Sequence, residues 1–415
     1  MGAEASAYDA AVLIIQRLKK HGHSAWIVGG SVRDHCLGMP LQEAPEIDIT
    51  TDADPERIAG LFRATIPIGK AFGVTQVRSA GHWFEVATFR SDGAYVDGRR
   101  PTAVRYGTVE EDVQRRDFTV NALLFDVDTQ QVLDLVGGLE DLRQSCLRCI
   151  GDPAARFTED GLRLLRAVRF GTHASFKIDP ATLAAMAACK ERLALVAPER
   201  IHEELKKIAV RPAARRGDAL RILASTGLAT WALPGADVSA IEEHARVVDR
   251  LRHRTLVGLL AVVLRRVEFE PAGALRERSE RFSKALKCSS DESDLLHALL
   301  CSRQRYALLA GCSLARQRLV ATRPYAHLHE DLLAAESDAQ DAIATLAAIR
   351  AQYGQELPEP LIDGHGLMAR GVPRGRALGV WLRRIRWCQL QGLLRNEDDV
   401  GSWLARYGIN HSPQS

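Results

Sequence analysis

The feature that most constrains the fold of this 415-residue chain is a change in the spacing of its apolar residues near Asp160. Before about residue 135 the intervals are mixed. Residues 9–20 carry a helical spacing, 25–28 form a short apolar strand, a glycine turn follows, and 32–37 read as a second helix. Residues 46–50, 75–79, 83–89 and 121–125 alternate or run apolar over strand lengths and are broken by Gly, Asp or Ser. From Asp160 onward apolar residues recur every three or four positions, Ala and Leu dominate, and no strand is expected. The expected class is α+β: an N-terminal head with a small mixed sheet and helices, then an all-helical remainder. Boundaries are set at 1–150 for the head, 151–215 for a helical neck, 216–335 for a helical body and 336–415 for a helical tail.

Bulk properties exclude several classes. Hydrophobic residues at 46% and charged residues at 26% fit neither a disordered chain nor a membrane protein. The longest apolar run, residues 256–264, falls far short of the roughly 20 residues that cross a bilayer. Eight scattered cysteines suit a reducing cytoplasm. Cys146 and Cys149 form the only CxxC and have no second pair at similar spacing, so a strand end is expected there and not zinc. Met1, Gly2 and Ser6 match an acylation pattern that short sequences meet by chance. Net charge is +3, so a nucleic-acid contact must come from a local basic face.

Two segments carry candidate chemistry. Trp26 to Asp34 reads as a buried strand, a Gly29-Gly30 turn and a helix beginning near Ser31. Such a turn lets backbone N–H groups approach a triphosphate, and Arg33 one turn in is a candidate bidentate phosphate donor. Taken alone, it is only a turn. Glu46-Ile47-Asp48-Ile49-Thr50 then alternates, so both carboxylates project from one strand face while the isoleucines point inward. Paired carboxylates repel unless a cation sits between them, and hard oxygen ligands suit Mg²⁺ carried by a nucleotide. Two ions serve such a reaction by activating a hydroxyl and by neutralising a triphosphate with its departing pyrophosphate. The plainer alternative is a half-exposed strand with two solvated acids.

The segments that accompany these do not occur at random. In order come Phe89-Arg90-Ser91-Asp92, Tyr95, Asp97-Gly98-Arg99-Arg100-Pro101, Arg115-Arg116-Asp117-Phe118-Thr119-Val120-Asn121-Ala122, Gly137-Gly138-Leu139-Glu140-Asp141-Leu142, and Arg156-Phe157-Thr158-Glu159-Asp160-Gly161-Leu162-Arg163-Leu164-Leu165-Arg166. With the Gly29-Gly30 turn and the Glu46/Asp48 pair they resemble the class II tRNA nucleotidyltransferase and bacterial poly(A) polymerase family, almost without gaps from 27 to 207. The resemblance implies a nucleotidyltransferase head with Glu46, Asp48 and Asp117 as catalytic residues and Mg²⁺ held by Glu46 and Asp48. It implies a nucleotide site of Gly29, Gly30, Ser31, Arg33, Arg116, Asn121, Asp160, Arg163, Arg166 and Arg169, with CTP and ATP as substrates and tRNA as partner. Arg116 is expected at the triphosphate or sugar. Asp117 either completes the metal cage or orients Arg116, and Asn121 either supports the pocket or simply stabilises a turn. Residues 91–107 resemble the loop that the family uses to switch from C to A addition.

A weaker match, Leu361-Ile362-Asp363-Gly364-His365-Gly366-Leu367 with Gly371, Pro373, Gly375 and Gly379, resembles the tail of the tRNA-directed members. Bacterial poly(A) polymerases typically end in a strongly basic extension, which is absent after Arg406. The expected activity is addition of C and A residues to a tRNA 3′ end without a template. The alternatives are a poly(A) polymerase and a tRNA-binding protein whose catalysis is impaired.

Base choice has a physical reading. Asp160 and Arg163, three apart, are expected on one helix face, with Arg166 a turn further. Cytosine and adenine present an amino donor beside a ring acceptor, whereas guanine and uracil reverse that order. A fixed Asp–Arg pair therefore accepts C and A at a discrimination of about 1–3 kcal/mol per mismatched pair. The alternative is a surface ion pair of little consequence. Two departures from the family pattern stand out: Glu46 replaces the usual Asp, and Gly161 replaces a proline. Basic clusters at 211–216, 250–254 and 383–386 are candidate phosphate contacts, and Trp381 and Trp387 are expected in a core.

Overall fold

A computed structural model describes residues 6–68, 73–92, 104–172, 176–210, 213–265, 272–336 and 339–409. The chain divides into two compact units, Met1–Ile241 with Ala285–Lys287, and Glu242–Lys284 with Cys288–Ser415. Most of the loop segment 91–107, Arg211 and the first five residues lie outside the described residues.

The first unit opens with helix α1 (Ala7–Lys20), whose N-cap Ser6 accepts from Asp9 N–H and whose Ala10, Ala11, Ile14, Ile15 and Leu18 are buried at three- and four-residue spacing. Then come β1 (Ala25–Val28), α2 (Gly30–Cys36), β2 (Asp48–Thr51), α3 (Pro55–Leu61), β3 (Thr65–Ile68), β4 (Val74–Ser79), β5 (His82–Thr88), β6 (Arg90–Asp92), β7 (Val104–Tyr106), α4 (Val109–Gln114), β8 (Leu124–Asp126) and β9 (Gln131–Leu133). Seven strands make one mixed sheet in the order β3-β4-β5-β2-β1-β8-β9. Strand β2 lies antiparallel to β1 and parallel to β5. In that register Asp48 stands opposite Val28, so the turn leaving β1 at Gly29 and the acid opening β2 share one end of the sheet. Apolar β1 is buried at Ile27 and Val28, as a central strand requires.

A helical stretch follows: α5 (Gly138–Arg143), β10 (Cys146–Leu147), α6 (Pro153–Glu159), α7 (Leu162–Gly171), β11 (Lys177–Ile178), α8 (Pro180–Ala188), α9 (Pro198–Ala209), α10 (Ala213–Ser225) and α11 (Ala229–Ala232). Helix α7 buries Leu162, Leu164, Leu165 and Val168. The second unit is built from α12 (Ile241–Arg250), α13 (Leu256–Val263), α14 (Ala272–Ala285), α15 (Ser290–Ala307), α16 (Leu314–Ala321), α17 (Ala326–Ala335), α18 (Gln340–Tyr353), α19 (Gly364–Ala369), α20 (Arg376–Leu390) and α21 (Glu397–Ala405). One of its cores gathers Tyr306, Leu309, Val320, Leu333 and Leu346. Another gathers Ile362, Leu367, Ile385, Val400 and Leu404.

The α+β class is borne out, with local differences. A strand does occur beyond Asp160: β11 pairs in parallel with β10, two residues each, too short to leave a period in the sequence. Residues 119–121 form a 3-10 turn in place of the start of a strand, since Asn121 N–H and Ala122 N–H donate back to Phe118 and Thr119 carbonyls. Asp160 is not helical: it ends α6 with φ −143°, and α7 starts two residues later. Trp387 is 41% exposed, whereas Trp381 packs against the second of the two cores.

Gly161 explains its own departure from the family pattern. A Cβ built there would lie 2.5 Å from the Arg192 carbonyl oxygen, a backbone atom that cannot swing aside. Proline carries that same Cβ. Gly161→Ala is therefore expected to cost about 1–3 kcal/mol through forced displacement of the Arg192 segment. Thermal denaturation checks this, and an unchanged midpoint would show that the close approach is not constraining.

Candidate active site

A cavity of about 820 Å³ is lined by the Gly29-Gly30 turn, Glu46 and Asp48 on one side and by α7 and α9 side chains on the other. Gly29 has φ +88°, a left-handed conformation that L side chains rarely adopt, and a Cβ there would sit 3.7 Å from Asp48 Oδ2. Glu46 is exposed, Asp48 is partly buried, and the isoleucines at 47 and 49 are buried, so the two carboxylates do face one way. Burial, reinforced by the Glu46 and Glu85 charges, pushes the Asp48 carboxyl up to about 6 against the pull of Arg116 and Arg166. Glu85 was not anticipated. It precedes Val86, the partner of Ile49, and so stands beside Asp48 on the neighbouring strand. Its signal in the sequence was an acid alternating with apolar Phe84 and Val86, and the structure leaves it exposed between those two buried side chains.

The cationic side of the cavity is held by acids. Arg33, 5% exposed, donates through Nε and Nη2 to Asp34 at 2.8 and 2.9 Å and through Nη1 to Asn121 Oδ1 at 2.7 Å, and it lies over the Phe170 ring. Arg115 and Arg116 both donate to Asp112, which is fully buried. Burial pushes the Asp112 carboxyl up, but Arg116 and Arg115 outweigh it and hold the group below the usual carboxylate range. The Asp117 carboxylate accepts from Phe118 N–H at 2.9 Å and from Arg166 Nε at 2.6 Å. Burial raises its pKa as well, and Arg166 and Arg163 bring the net shift downward. Its arginine partner is thus Arg166, while Arg116 belongs to Asp112. Arg169 stacks 4.0 Å from the Phe170 ring centre and donates to buried Glu204 at 2.6 Å.

The two expected base-reading residues both line the cavity but do not pair with each other. Asp160 accepts from Leu162 N–H and from Arg200, at 3.2 Å to Oδ1 and 2.8 Å to Oδ2. Arg163 instead donates to Glu159 at 2.5 Å and to the carbonyls of Arg156 and Arg115 at 3.1 and 2.7 Å. A helical spacing predicted the contact, and the break at Asp160 prevents it. All ten expected nucleotide-site residues meet at this cavity, together with Glu46, Asp48 and Asp117. Arg115, Arg200 and Lys207 also line it and were missed; for Arg200 and Lys207, nothing in α9 alone tells which of its charges face another helix. Ser31 Oγ and Asn121 Nδ2 are buried and have no hydrogen-bond partner among the described residues, two polar groups left for a bound molecule to satisfy.

Comparison with known proteins agrees with this geometry. A model described as the poly A polymerase head domain matches residues 25–148, and one described as a probable RNA and SrmB binding site of polymerase A matches 175–239. The chain is 33% identical over 404 residues to a CCA-adding enzyme of Bacillus licheniformis, covering 95% of this chain and 97% of that one. It is 42% identical over 229 residues, 55% of each chain, to the CCA-adding enzyme of Geobacillus stearothermophilus. The crystal structure of the Bacillus stearothermophilus CCA-adding enzyme in complex with CTP superposes with a TM-score of 0.74 at 29% identity over 98% of both chains.

The raised Asp48 carboxyl has a stability consequence. The folded protein holds this proton more tightly than the unfolded chain does. The group's contribution is therefore fully present below the usual carboxylate value and is lost as pH rises through about 6. Asp48→Asn keeps the shape without the charge. Without divalent ions it is expected to be more stable than the parent by about 1–3 kcal/mol near pH 8, the gap closing toward about pH 4. Melting midpoints across pH measure this; a gap that does not change with pH removes the claim of a strained carboxylate.

Proposed function

The chain belongs to the CCA-adding enzyme family, and from that membership together with the pocket we propose that it adds C and A residues to the 3′ end of tRNA, taking them from CTP and ATP without a nucleic-acid template and releasing pyrophosphate. The observation that carries this reading is the strained Asp48 carboxylate at the Gly29 turn, faced by a wall of arginines. A group of oxygens that repel one another is what a hard divalent cation relieves, and Glu46 and Asp48 would hold it, with Glu85 adjacent. We take the ion to be Mg²⁺. When bound it makes the RNA 3′ hydroxyl more acidic and neutralises the triphosphate. Glu46, one methylene longer than aspartate, reaches the shared face from the exposed segment ahead of β2.

The remaining chemistry is positioning. Arg116, Arg166 and Arg169 face the cavity as phosphate donors, each held by a carboxylate on its protein side. Asp117 acts through Arg166, and Arg33 with Asn121 shapes the floor beside the glycine turn. The buried Ser31 hydroxyl and Asn121 amide receive the nucleotide's polar groups. Asp160 and Arg163 read the base edge, with Arg200 holding the Asp160 carboxylate in place. The divisions 1–150, 151–215, 216–335 and 336–415 are assigned to head, neck, body and tail, the last two to RNA binding. Among the described residues no helix is long and apolar enough to cross a membrane. We place the enzyme in the cytoplasm, which suits eight cysteines that form no disulfide.

Incubation with tRNA ending before CCA and CTP, or after CC and ATP, with Mg²⁺, is expected to extend each end and then stop. No extension under any combination defeats the proposal, and long A tails on arbitrary RNA make the protein a poly(A) polymerase. Asp160→Ala is expected to lower kcat/KM for CTP by about 10–100-fold while UTP incorporation falls far less. Equal losses for both nucleotides would remove Asp160 from base reading.

A further inference from the structure

Between α12 and α13 the chain crosses the surface of the second unit in five residues, 251–255. Leu251 is buried, Arg252, His253 and Arg254 are exposed, and Thr255 caps α13 by accepting from Gly258 N–H. The loop's shape is set from beneath by Asp331 of α17, only 5% exposed. Its carboxylate accepts from Arg252 N–H at 2.9 Å and His253 N–H at 2.8 Å and lies 3.1 Å from His253 Nδ1. A buried carboxylate is costly unless donors satisfy it, and here the donors belong to the loop itself. Carboxylate and loop therefore fix each other, and the two arginines leave a determined backbone with their guanidinium groups in solvent.

Neither Arg252 nor Arg254 has an ion-pair partner among the described residues. The surface beside them adds charge and rings. His327, exposed in the first turn of α17, packs edge-on to His253 at 4.9 Å. Arg323, also exposed, lies over the Tyr325 ring and donates to its hydroxyl at 3.1 Å. Asp331 is spent on the loop, and its neighbour Glu330 is paired with Arg350. Contrast α14, whose exposed Arg276 and Arg281 are each matched by a glutamate four residues away. In a chain of net charge +3, unmatched cations concentrated on one built loop are a local attractor for a polyanion.

We propose that the 251–255 loop, with Arg323, Tyr325 and His327, is a docking surface for the phosphate backbone of the RNA substrate. This deepens the reading above, since it rests on the substrate being RNA. The arginines supply paired donors to phosphate oxygens, and the rigid loop holds them at a set spacing without a further ordering cost.

The test uses the full-length protein and a tRNA ending before CCA. Its dissociation constant is measured against salt, beside KM for tRNA and for CTP. Arg252→Ala with Arg254→Ala is expected to weaken tRNA binding by about tenfold or more and to lower the slope of log affinity against log salt by about two. KM for CTP and the melting midpoint stay unchanged, because both side chains are exposed and unpaired. Arg276→Ala with Arg281→Ala removes the same charge elsewhere and is expected to leave affinity within about twofold. Unchanged affinity and slope in the first variant, or an equal loss in the second, overturns the surface. A parent protein that binds tRNA but never extends it defeats the catalytic reading alone, and the surface is then still judged by the same binding data.

Discussion

Burial of the Asp48 carboxylate, with the charges of Glu46 and Glu85 close by, is the constraint on which the pocket is built. Sheet register forces the contact: β2 must lie between β1 and β5 to bury Ile49, and that places Asp48 opposite the end of β1 and next to Glu85. Gly29 can turn there because φ +88° is open to glycine and strained for any L side chain. An apolar or amide side chain at 48 would suit the fold better. A position where the fold is worse off for the residue it carries points to what that residue is kept for.

The opposite wall follows a complementary logic. Asp112, Asp117 and Glu204 are buried acids whose partners are arginines facing the cavity. A buried pair of this kind contributes little net stability, since desolvation offsets attraction. Its effect is instead to remove rotamer freedom from Arg116, Arg166 and Arg169 before anything binds, so that less of the binding energy goes into ordering them. The same arrangement recurs on the second unit, where buried Asp331 orders a loop that presents Arg252 and Arg254.

Local rules made much of this legible. The alternation at 46–50 put Glu46 and Asp48 on one face, the glycine pair marked the turn after β1, and the change of period near 160 separated sheet from helices, because each depends only on neighbours in sequence. What failed depended on distant neighbours. Asp160 lies three residues before Arg163, yet the helix breaks between them and Arg200 takes the carboxylate. Glu85 reaches Asp48 only through strand pairing, and Gly161 is explained only by the carbonyl of Arg192. A two-residue strand such as 177–178 leaves no period to read.

Uptake of Mg²⁺ by the protein with a non-reactive CTP analogue, titrated calorimetrically at about pH 6 in buffers of different ionisation heat, tests the central claim most directly. If Glu46 and Asp48 grip the ion from a carboxyl lying near 6, binding releases about half a proton per site, and Asp48→Asn binds far more weakly with no release. Uptake without proton release, at an affinity that Asp48→Asn leaves unchanged, would contradict it.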